Sequence, residues 1–218
     1  IKKLGIKSKI EKNRCIIYGK GINGYKYKKN ITINAENSGT LGRLILGLLV
    51  HSKNKVTIKG DKSLSKRDFL RVTNPLSKFG ATLKTNSGKL PIIIKGTKFP
   101  KPIKYLESKG SAQCKSSVML AALNTKGTTF IKAKKSRDHT EILFKYLKLP
   151  IKIKRFQTYD TIEIKGGKKI KPLNYTIPSD ISSSAFFIVL AALSKKSKLK
   201  IKNININPTR VGILKILK

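Results

Sequence analysis

Three stretches of this chain consist almost entirely of apolar residues, at positions 44–50, 118–123 and 186–193. Each is far shorter than the ~18 apolar residues of a membrane-spanning helix. A helix that is apolar on every side has no face for water. The pattern therefore predicts three short helices packed in the interior of the protein.

A run of small and hydroxyl-bearing residues precedes each apolar stretch, at positions 37–40, 110–115 and 179–184. Such residues are preferred where a helix begins, because their side chains accept hydrogen bonds from the free N–H groups of the first turn. Helix beginnings also attract phosphates and carboxylates. One such beginning is common, but three at nearly equal spacing indicate a repeated fold whose anion sites converge on one surface.

The segments that follow each apolar stretch repeat in the same order. A strand is predicted at 55–59, 129–132 and 199–202, then an arginine-bearing turn, then an amphipathic helix at 68–79, 139–147 and 211–217. A strand pair comes next, at 81–84 with 90–95 and at 151–154 with 161–164, and residues 1–18 resemble the tail of an earlier copy. The prediction is an α/β fold of three repeated βαβαββ units around a pseudo-threefold axis, with helices inside, sheets outside and the first unit truncated.

The net charge of the chain is high, but it does not by itself indicate a binding partner. The 218 residues carry a formal net charge of +39, with 42 lysines, seven arginines and only 10 acidic residues. The lysines sit singly along predicted strands and helices and form no dense basic tail, so most of this charge is interpreted as solvated surface. An arginine in so lysine-rich a chain indicates a need for a planar, bidentate donor, and five of the seven lie in or beside the turn-to-helix segments.

Cysteines and termini bear on compartment and completeness. Cys15 and Cys114 are too few and too far apart for a disulfide framework or a zinc site, which fits a reducing compartment. No signal peptide is visible. The chain begins at Ile1 and ends at Lys218 within a predicted helix, so we expect a fragment of a longer protein.

The polar residues at the joints of the repeat suit an anionic, hydroxylated small molecule. Serine hydroxyls, helix N–H groups and an arginine suit phosphate oxygens, and a glutamine suits sugar-like hydroxyls. The set is Ser111, Gln113, Ser136, Arg137 and Thr40. Gly39 would let a ligand carboxylate approach the backbone. No Ser/His/Asp arrangement, metal-ligand cluster or glycine-rich nucleotide loop is visible, which disfavours hydrolases, metalloenzymes and ATP-dependent enzymes.

Eight short motifs run through nearly the whole chain. They are 37–40 with Arg43; 60–67; 74–76 with 79–81; 90–91 with 95–96; Ser111-Ala112-Gln113-Cys114-Lys115; 136–141; Asp180 with Ser182 and Ser183; and Asn207-Pro208-Thr209-Arg210. In this order they closely resemble the 5-enolpyruvylshikimate-3-phosphate synthase family, and the fifth and eighth are similar to its class II members.

This resemblance implies an activity and a set of site residues. The family transfers the enolpyruvyl group of phosphoenolpyruvate to the 5-hydroxyl of shikimate-3-phosphate and releases phosphate, with no metal or organic cofactor, in aromatic amino acid biosynthesis. By resemblance, shikimate-3-phosphate would be held by Ser111, Ala112, Gln113, Arg137, Thr40 and Ser136. Phosphoenolpyruvate would face Gly39 and Arg67. Supporting residues would be Asn37, Arg43, Lys115, Asp180 and Arg210.

The family fold is an inside-out α/β barrel in each of two domains, and catalysis occurs as the domains close. Residues 1–218 are therefore expected to form most of one domain, the substrate-binding half, truncated at both ends and without the second domain that supplies the acid/base carboxylates. No catalytic residue is identified in this chain, and we expect it to be inactive alone. The intact enzyme is expected to be a cytoplasmic monomer that binds neither nucleic acid nor membrane and, because of Gly39, is inhibited by glyphosate.

Two alternatives differ in their chemistry. The sister enzyme that acts on UDP-N-acetylglucosamine shares the fold but uses a loop cysteine, and Cys114 lies at a predicted helix start. A basic RNA-binding protein would explain the charge, but it would carry surface aromatics and clustered basic residues. The Tyr and Phe residues here are sparse and mostly embedded in apolar runs, so the enolpyruvyl transferase is preferred.

Overall fold

The computed structural model describes residues 1–21, 24–27 and 30–217. These residues form two compact units. Unit 1 comprises residues 1–135 and 140–171, and unit 2 comprises residues 136–139 and 172–218. The assignment of residues 1–218 to a single domain of the family stays a prediction.

Unit 1 contains two four-stranded mixed sheets of identical topology. The strands of the first are β3 (Ile31–Asn34), β4 (Val56–Lys59), β5 (Thr82–Asn86) and β6 (Lys89–Lys95), in the order β3-β4-β6-β5. The strands of the second are β7 (Lys104–Glu107), β8 (Gly127–Lys134), β9 (Ile151–Arg155) and β10 (Tyr159–Gly166), in the order β7-β8-β10-β9. In each sheet the first two strands are parallel and the remaining pairs are antiparallel.

Helices connect the strands at the same places in both repeats. Helix α1 (Gly39–Leu48) joins β3 to β4, and α4 (Ala112–Leu123) joins β7 to β8, as parallel strands require. The short α2 (Lys62–Ser65) with α3 (Leu70–Lys78), and α5 (His139–Tyr146), follow β4 and β8. The predicted α/β class and two complete βαβαββ units are therefore confirmed, with helix and strand bounds close to the expected ones.

Side-chain alternation explains why lysine is so frequent in these sheets. Successive strand residues point to opposite faces. In β6, Leu90, Ile92 and Ile94 are buried while the positions between them face solvent, and β8 alternates in the same way. Lysine therefore occupies the solvent-exposed face of each sheet, as expected from lysines that occur singly along the predicted strands.

The two apolar helices of unit 1 pack directly against each other. The Oγ of Ser117 on α4 donates to the Arg43 carbonyl of α1 at 2.8 Å. A Cβ added to Gly47 would lie only 2.1 Å from the Ser117 carbonyl oxygen, so only glycine permits this approach. The prediction that these two helices are interior is confirmed, because five of the 10 residues of α1 and nine of the 12 residues of α4 are buried.

The N-terminal tail, expected to resemble the end of an earlier repeat, forms a turn and a hairpin. A 3₁₀ turn at Lys2–Leu4 ends at Gly5, whose φ of 75° is the left-handed conformation expected after a helix. An antiparallel hairpin follows, formed by β1 (Ser8–Glu11) and β2 (Arg14–Ile17). Its exposed ion pairs join Glu11 to Lys9 and to Arg14.

Unit 2 reproduces only the start of a third repeat. Helix α6 (Ile181–Leu193) is present, Ser179 forms a parallel bridge with Ile204, and α7 (Gly212–Ile216) lies where an amphipathic helix was expected. The predicted strand at 199–202 is absent, because the described part of unit 2 offers it no neighbouring strands of the kind that flank β4 and β8. The pseudo-threefold axis and the inside-out barrel stay predictions.

The prediction of burial is wrong for the third apolar helix. Exposed fractions on α6 are 79% for Phe186, 63% for Leu190 and 80% for Leu193. Only Ile181 and Ser184 are buried on this helix. An apolar sequence indicates that burial would stabilise a helix, but it does not ensure that another element packs on it. Among the described residues, no element packs on this face of α6. Elsewhere, none of the helices described is long and apolar enough to cross a bilayer.

His51 ends the first apolar helix, and burial makes it a pH-sensitive element of unit 1. The Nε2 atom of His51 is buried without a hydrogen-bond partner among the described residues. Burial lowers the pKa of His51 from 6.5 to about 4. Below pH 6.5 the unfolded chain therefore binds a proton that the folded chain does not bind until about pH 4.

We expect the free energy of unfolding to fall as the pH is lowered from 6.5 towards 4, because protonation of His51 favours the unfolded chain. Urea unfolding of the wild-type chain and of His51→Gln, followed by circular dichroism across this range, measures the effect. The variant should show a flatter pH dependence, since a glutamine does not titrate. Identical slopes for the two proteins would contradict the assignment.

Candidate functional site

The site of unit 1 is built on the beginnings of α1 and α4. Ser38 Oγ accepts a hydrogen bond from the Leu41 N–H at 3.1 Å, and Ser111 Oγ accepts one from the Cys114 N–H at 3.3 Å. Both serines are therefore N-caps, as their position before an apolar run predicted. Because each hydroxyl uses an oxygen lone pair for the cap, its own proton remains available for a ligand oxygen.

A side-chain network joins these two helix beginnings across the repeat. Gln113 Nε2 donates to Thr40 Oγ1 at 2.8 Å, and Gln113 Oε1 accepts from the Arg43 guanidinium at 3.0 Å. Arginine has no acceptor, so this contact fixes which way the Gln113 amide points. Thr40 accepts from Gln113 and, like the two serines, keeps a proton to donate.

Arg43 is the central cation of this network. Its guanidinium also donates to the Asp68 carbonyl at 3.2 Å and to the Gly39 carbonyl at 3.4 Å, and it lies 4.7 Å from the centre of the Phe69 ring. Burial is the main cause that lowers the pKa of Arg43 from its usual value. Arg43 thus contacts the Gly39 turn, while its supporting role there stays a prediction, and the link to Gln113 is an additional contact that spacing did not suggest.

Gly39 lies where a side chain would crowd the end of the Arg43 side chain and touch that of Arg67. A Cβ there would be 2.7 Å from Arg43 Nη1 and 3.4 Å from Arg67 Nη1. Arg67 is exposed and has no ion-pair partner among the residues that the structure describes. The two residues expected to face phosphoenolpyruvate are thus close together, and a glycine with a nearby unpaired guanidinium can accommodate a small anion.

Asn37 holds the turn before α1 to the turn after β4. Its Nδ2 donates to Asp61 Oδ2 at 2.6 Å, while Asp61 Oδ1 accepts the Leu64 N–H at 2.7 Å and caps α2. These hydrogen bonds, that from Leu64 first, hold the pKa of Asp61 below its usual value. Asn37 therefore fixes the turn that carries Gly39 through Asp61, and its support of a ligand site stays a prediction.

Lys115 forms the most buried ion pair in unit 1. Its ammonium lies 2.5 Å from Glu141 Oε1, and the two side chains are only 1% and 2% exposed. Beside them the hydroxyls of Ser116 and Thr140 are 2.6 Å apart. Lys115 thus connects α4 to α5 and its ammonium is shielded from a ligand in solvent, so any support that it gives the site stays a prediction and would be indirect.

Glu107 is a residue of this site that sequence reasoning missed. It ends β7, is 2% exposed, and accepts backbone hydrogen bonds from Lys109 and Ser111. The available signal was an acidic residue, rare in this chain, immediately before a predicted helix cap. The role of this residue depends on its position at the end of β7, and the sequence analysis did not predict that strand.

Unit 2 contains a second, separate group of predicted residues. Arg137, Asp180 and Arg210 line a cavity of about 310 Å³ at the beginning of α6. Arg210 pairs with Asp180 at 3.4 Å and also contacts the Ser182 hydroxyl. Asp180 caps α6 through the Ser182 N–H, which is the first cause of its lowered pKa.

Two further observations concern residues 136–139 of unit 2, the turn that carries Arg137. Asn207 Nδ2 donates to Asp138 Oδ1 at 2.8 Å, and both side chains are buried. The Oγ of Ser136 is buried without a hydrogen-bond partner among the described residues. Thus unit 1 assembles Gly39, Thr40, Arg43, Arg67 and the 111–113 segment, and unit 2 assembles the groups around Arg137 and Asp180.

Comparisons with known proteins identify relatives of the whole chain. A family model described as EPSP synthase (3-phosphoshikimate 1-carboxyvinyltransferase) matches residues 1–218. A 3-phosphoshikimate 1-carboxyvinyltransferase of Vesicomyosocius okutanii is 43% identical over 99% of this chain and 48% of the relative. One from Legionella pneumophila strain Lens is 42% identical over 95% of this chain and 47% of the relative.

Solved structures give the same result. The structure of EPSP synthase from Acinetobacter baumannii matches 99% of this chain with a TM-score of 0.84 and 35% identity, and the match covers 48% of that chain. The chain therefore spans about half the length of the curated relatives it matches.

Proposed function

The chain belongs to the EPSP synthase family, and from this premise we propose that unit 1 binds shikimate-3-phosphate for 3-phosphoshikimate 1-carboxyvinyl transfer. The reaction joins the enolpyruvyl group of phosphoenolpyruvate to the 5-hydroxyl of shikimate-3-phosphate and releases phosphate. In this proposal Ser111, Ala112, Gln113 and Thr40 hold the shikimate ester, and Gly39 and Arg67 face phosphoenolpyruvate.

The observation that carries the proposal is the Thr40–Gln113–Arg43 network. It draws the beginnings of two helices together, with the Thr40 and Ser111 hydroxyls both able to donate and the Gln113 amide fixed in orientation. A phosphorylated, hydroxylated ring offers acceptors for each of these groups. Neither alternative has comparable support: Cys114 is buried within α4, and the relatives over nearly the full chain carry the name of the shikimate enzyme.

Arg137 and Ser136 enter the proposal through the resemblance. The buried Ser136 hydroxyl, which has no hydrogen-bond partner in the part of the chain that the structure describes, and the exposed Arg137 side chain are consistent with contacts to an anion. Asp180 and Arg210 support the same turn of unit 2 through their ion pair.

Calorimetric titration of the chain with shikimate-3-phosphate tests the proposal. We expect saturable binding that weakens about tenfold in Gln113→Ala. This substitution removes one hydrogen bond to a charged ligand and the contacts that hold Thr40 and Arg43 in place. Arg137→Ala, measured separately, should weaken binding by at least as much, because it removes a charge-assisted contact. Arg14→Ala, in the exposed hairpin, is the matched control and should bind like wild type.

Two results of this titration would contradict the proposal. One is the absence of binding by a chain whose circular dichroism shows it to be folded. The other is wild-type affinity in Gln113→Ala.

Turnover with both substrates is expected to be undetectable in the chain alone, because general acid/base catalysis needs positioned carboxylates, which are proposed to lie in the second domain of the family's enzymes.

The enzyme that contains this chain is proposed to be a cytoplasmic monomer sensitive to glyphosate. The support for glyphosate sensitivity is Gly39, since a Cβ there would lie 2.7 Å from Arg43 Nη1 and force that side chain to shift. Unchanged turnover of the intact enzyme at high glyphosate would contradict this part. The exposed Cys15 and buried Cys114 are both free thiols, which fits a reducing compartment.

A further inference from the structure

Glu107 is a buried carboxylate that contacts the loop in front of Ser111. Its Oε2 accepts the Ser111 N–H at 2.9 Å and its Oε1 accepts the Lys109 N–H at 3.2 Å. Between these two residues Gly110 adopts a φ of +70°, a conformation that non-glycine residues rarely take. One side chain therefore holds both ends of a tight turn.

The charge of Glu107 has a partner on another element. Arg71 of α3 lies 3.6 Å from Glu107 Oε1, and its side chain is about half exposed. A buried carboxylate with two backbone donors and an arginine has partners that offset the cost of removing its charge from water, so it can hold a loop in place. The carboxylate also connects α3 to the beginning of α4.

Comparison with the equivalent position in the first repeat shows which contact of Glu107 is found in the second repeat but not in the first. Asn34 ends β3 as Glu107 ends β7, and its Oδ1 accepts the N–H two residues later, from Glu36, at 3.0 Å. Glu107 makes this same contact to Lys109, and its longer side chain adds the second contact, to Ser111. The contact to the residue that caps α4 is therefore a feature of the second repeat.

We propose that Glu107 is a positioning residue for shikimate-3-phosphate. It fixes the backbone of Ser111 and thereby the direction of the Ser111 hydroxyl and of the N–H groups that follow it, which face the ligand. Glu107 itself does not touch the ligand. The inference rests on the proposed function, because it assigns Glu107 to the binding of the same molecule.

Two substitutions separate the contacts of Glu107. Glu107→Asp keeps the charge but shortens the side chain to the reach of Asn34, so it should retain the Lys109 contact and lose the Ser111 contact. Glu107→Gln keeps the length and replaces one acceptor oxygen with an amide nitrogen that cannot accept. Glu163→Gln, on strand β10, is the matched control.

The test combines calorimetry with amide NMR spectra of the 15N-labelled full chain. We expect the affinity for shikimate-3-phosphate to fall about tenfold in both Glu107 variants, as for one lost charge-assisted hydrogen bond, and to be unchanged in Glu163→Gln. In Glu107→Asp the Ser111 amide resonance should move while the Lys109 resonance stays near its wild-type position. A general loss of stability would not move one amide and spare the other.

The outcomes distinguish this inference from the proposed function. Wild-type binding together with unchanged affinity in folded Glu107→Asp and Glu107→Gln would overturn the role of Glu107 and leave the proposed function in place. A tenfold loss without movement of the Ser111 amide would also overturn the role. No binding by the folded wild-type chain would overturn the proposed function, and this assignment with it.

Discussion

Replacement of Lys115 by methionine is expected to destabilise unit 1 by about 3–5 kcal/mol, because it leaves the Glu141 carboxylate buried without its cation. Methionine has a similar length and fills most of the same space, so the loss reports on charge rather than on a cavity. Urea unfolding monitored by circular dichroism measures it. The affected transition is the one that includes α4 and α5, which the pair connects.

A surface pair of the same residue types provides the control. Lys9 and Glu11 are 2.9 Å apart in the exposed hairpin, and exposed pairs contribute about 0–1 kcal/mol. Lys9→Met should therefore have little effect. If Lys115→Met cost no more than Lys9→Met, the burial of the Lys115–Glu141 pair would not matter to stability.

A double variant distinguishes the loss of attraction from the penalty of an unpaired charge. Lys115→Met with Glu141→Leu removes both charges, and replacing a buried pair by apolar groups is often close to neutral. We expect the double variant to recover much of the stability that Lys115→Met loses. A double variant as unstable as the single one would assign the loss to packing.

The repeated pattern of the sequence was sufficient to predict most of unit 1. Alternation in β6 and β8 and the serine caps are local properties, whereas the apolar helices α1 and α4 are covered by packing against each other within unit 1. The same local pattern predicted α6, but burial of that helix depends on what covers it. Position along the chain could not reveal this.

The site could be predicted only in part for a similar reason. Thr40, Gln113 and Arg43 were chosen from the motifs that contain them, yet the bonds that join them connect residues 70 and 73 positions apart. Glu107 was missed because its role depends on where β7 ends and on which N–H groups lie within reach of its side chain. Residue type and spacing identify candidates, and only the backbone path decides which of them touch.

Arg43 is expected to be the cation of the site whose loss has the largest effect. Its guanidinium bonds Gln113 and the carbonyls of Asp68 and Gly39 and lies over the Phe69 ring. Each such hydrogen bond to a charged group contributes about 1.5–3 kcal/mol, and the contributions are not additive. We therefore expect Arg43→Ala to destabilise unit 1 by about 2–4 kcal/mol in urea unfolding.

The same variant should weaken binding of shikimate-3-phosphate about tenfold or more, since Gln113 loses the contact that fixes its amide. Arg43→Lys keeps the positive charge but has a single donor group in place of a planar fork, so it should recover less than half of either loss. Arg14→Ala is the control, because Arg14 is exposed and pairs with Glu11 in the surface hairpin, where an ion pair contributes little. Wild-type stability and affinity in Arg43→Lys would mean that charge alone, and not the geometry of the guanidinium, joins α1 to α4 at this site.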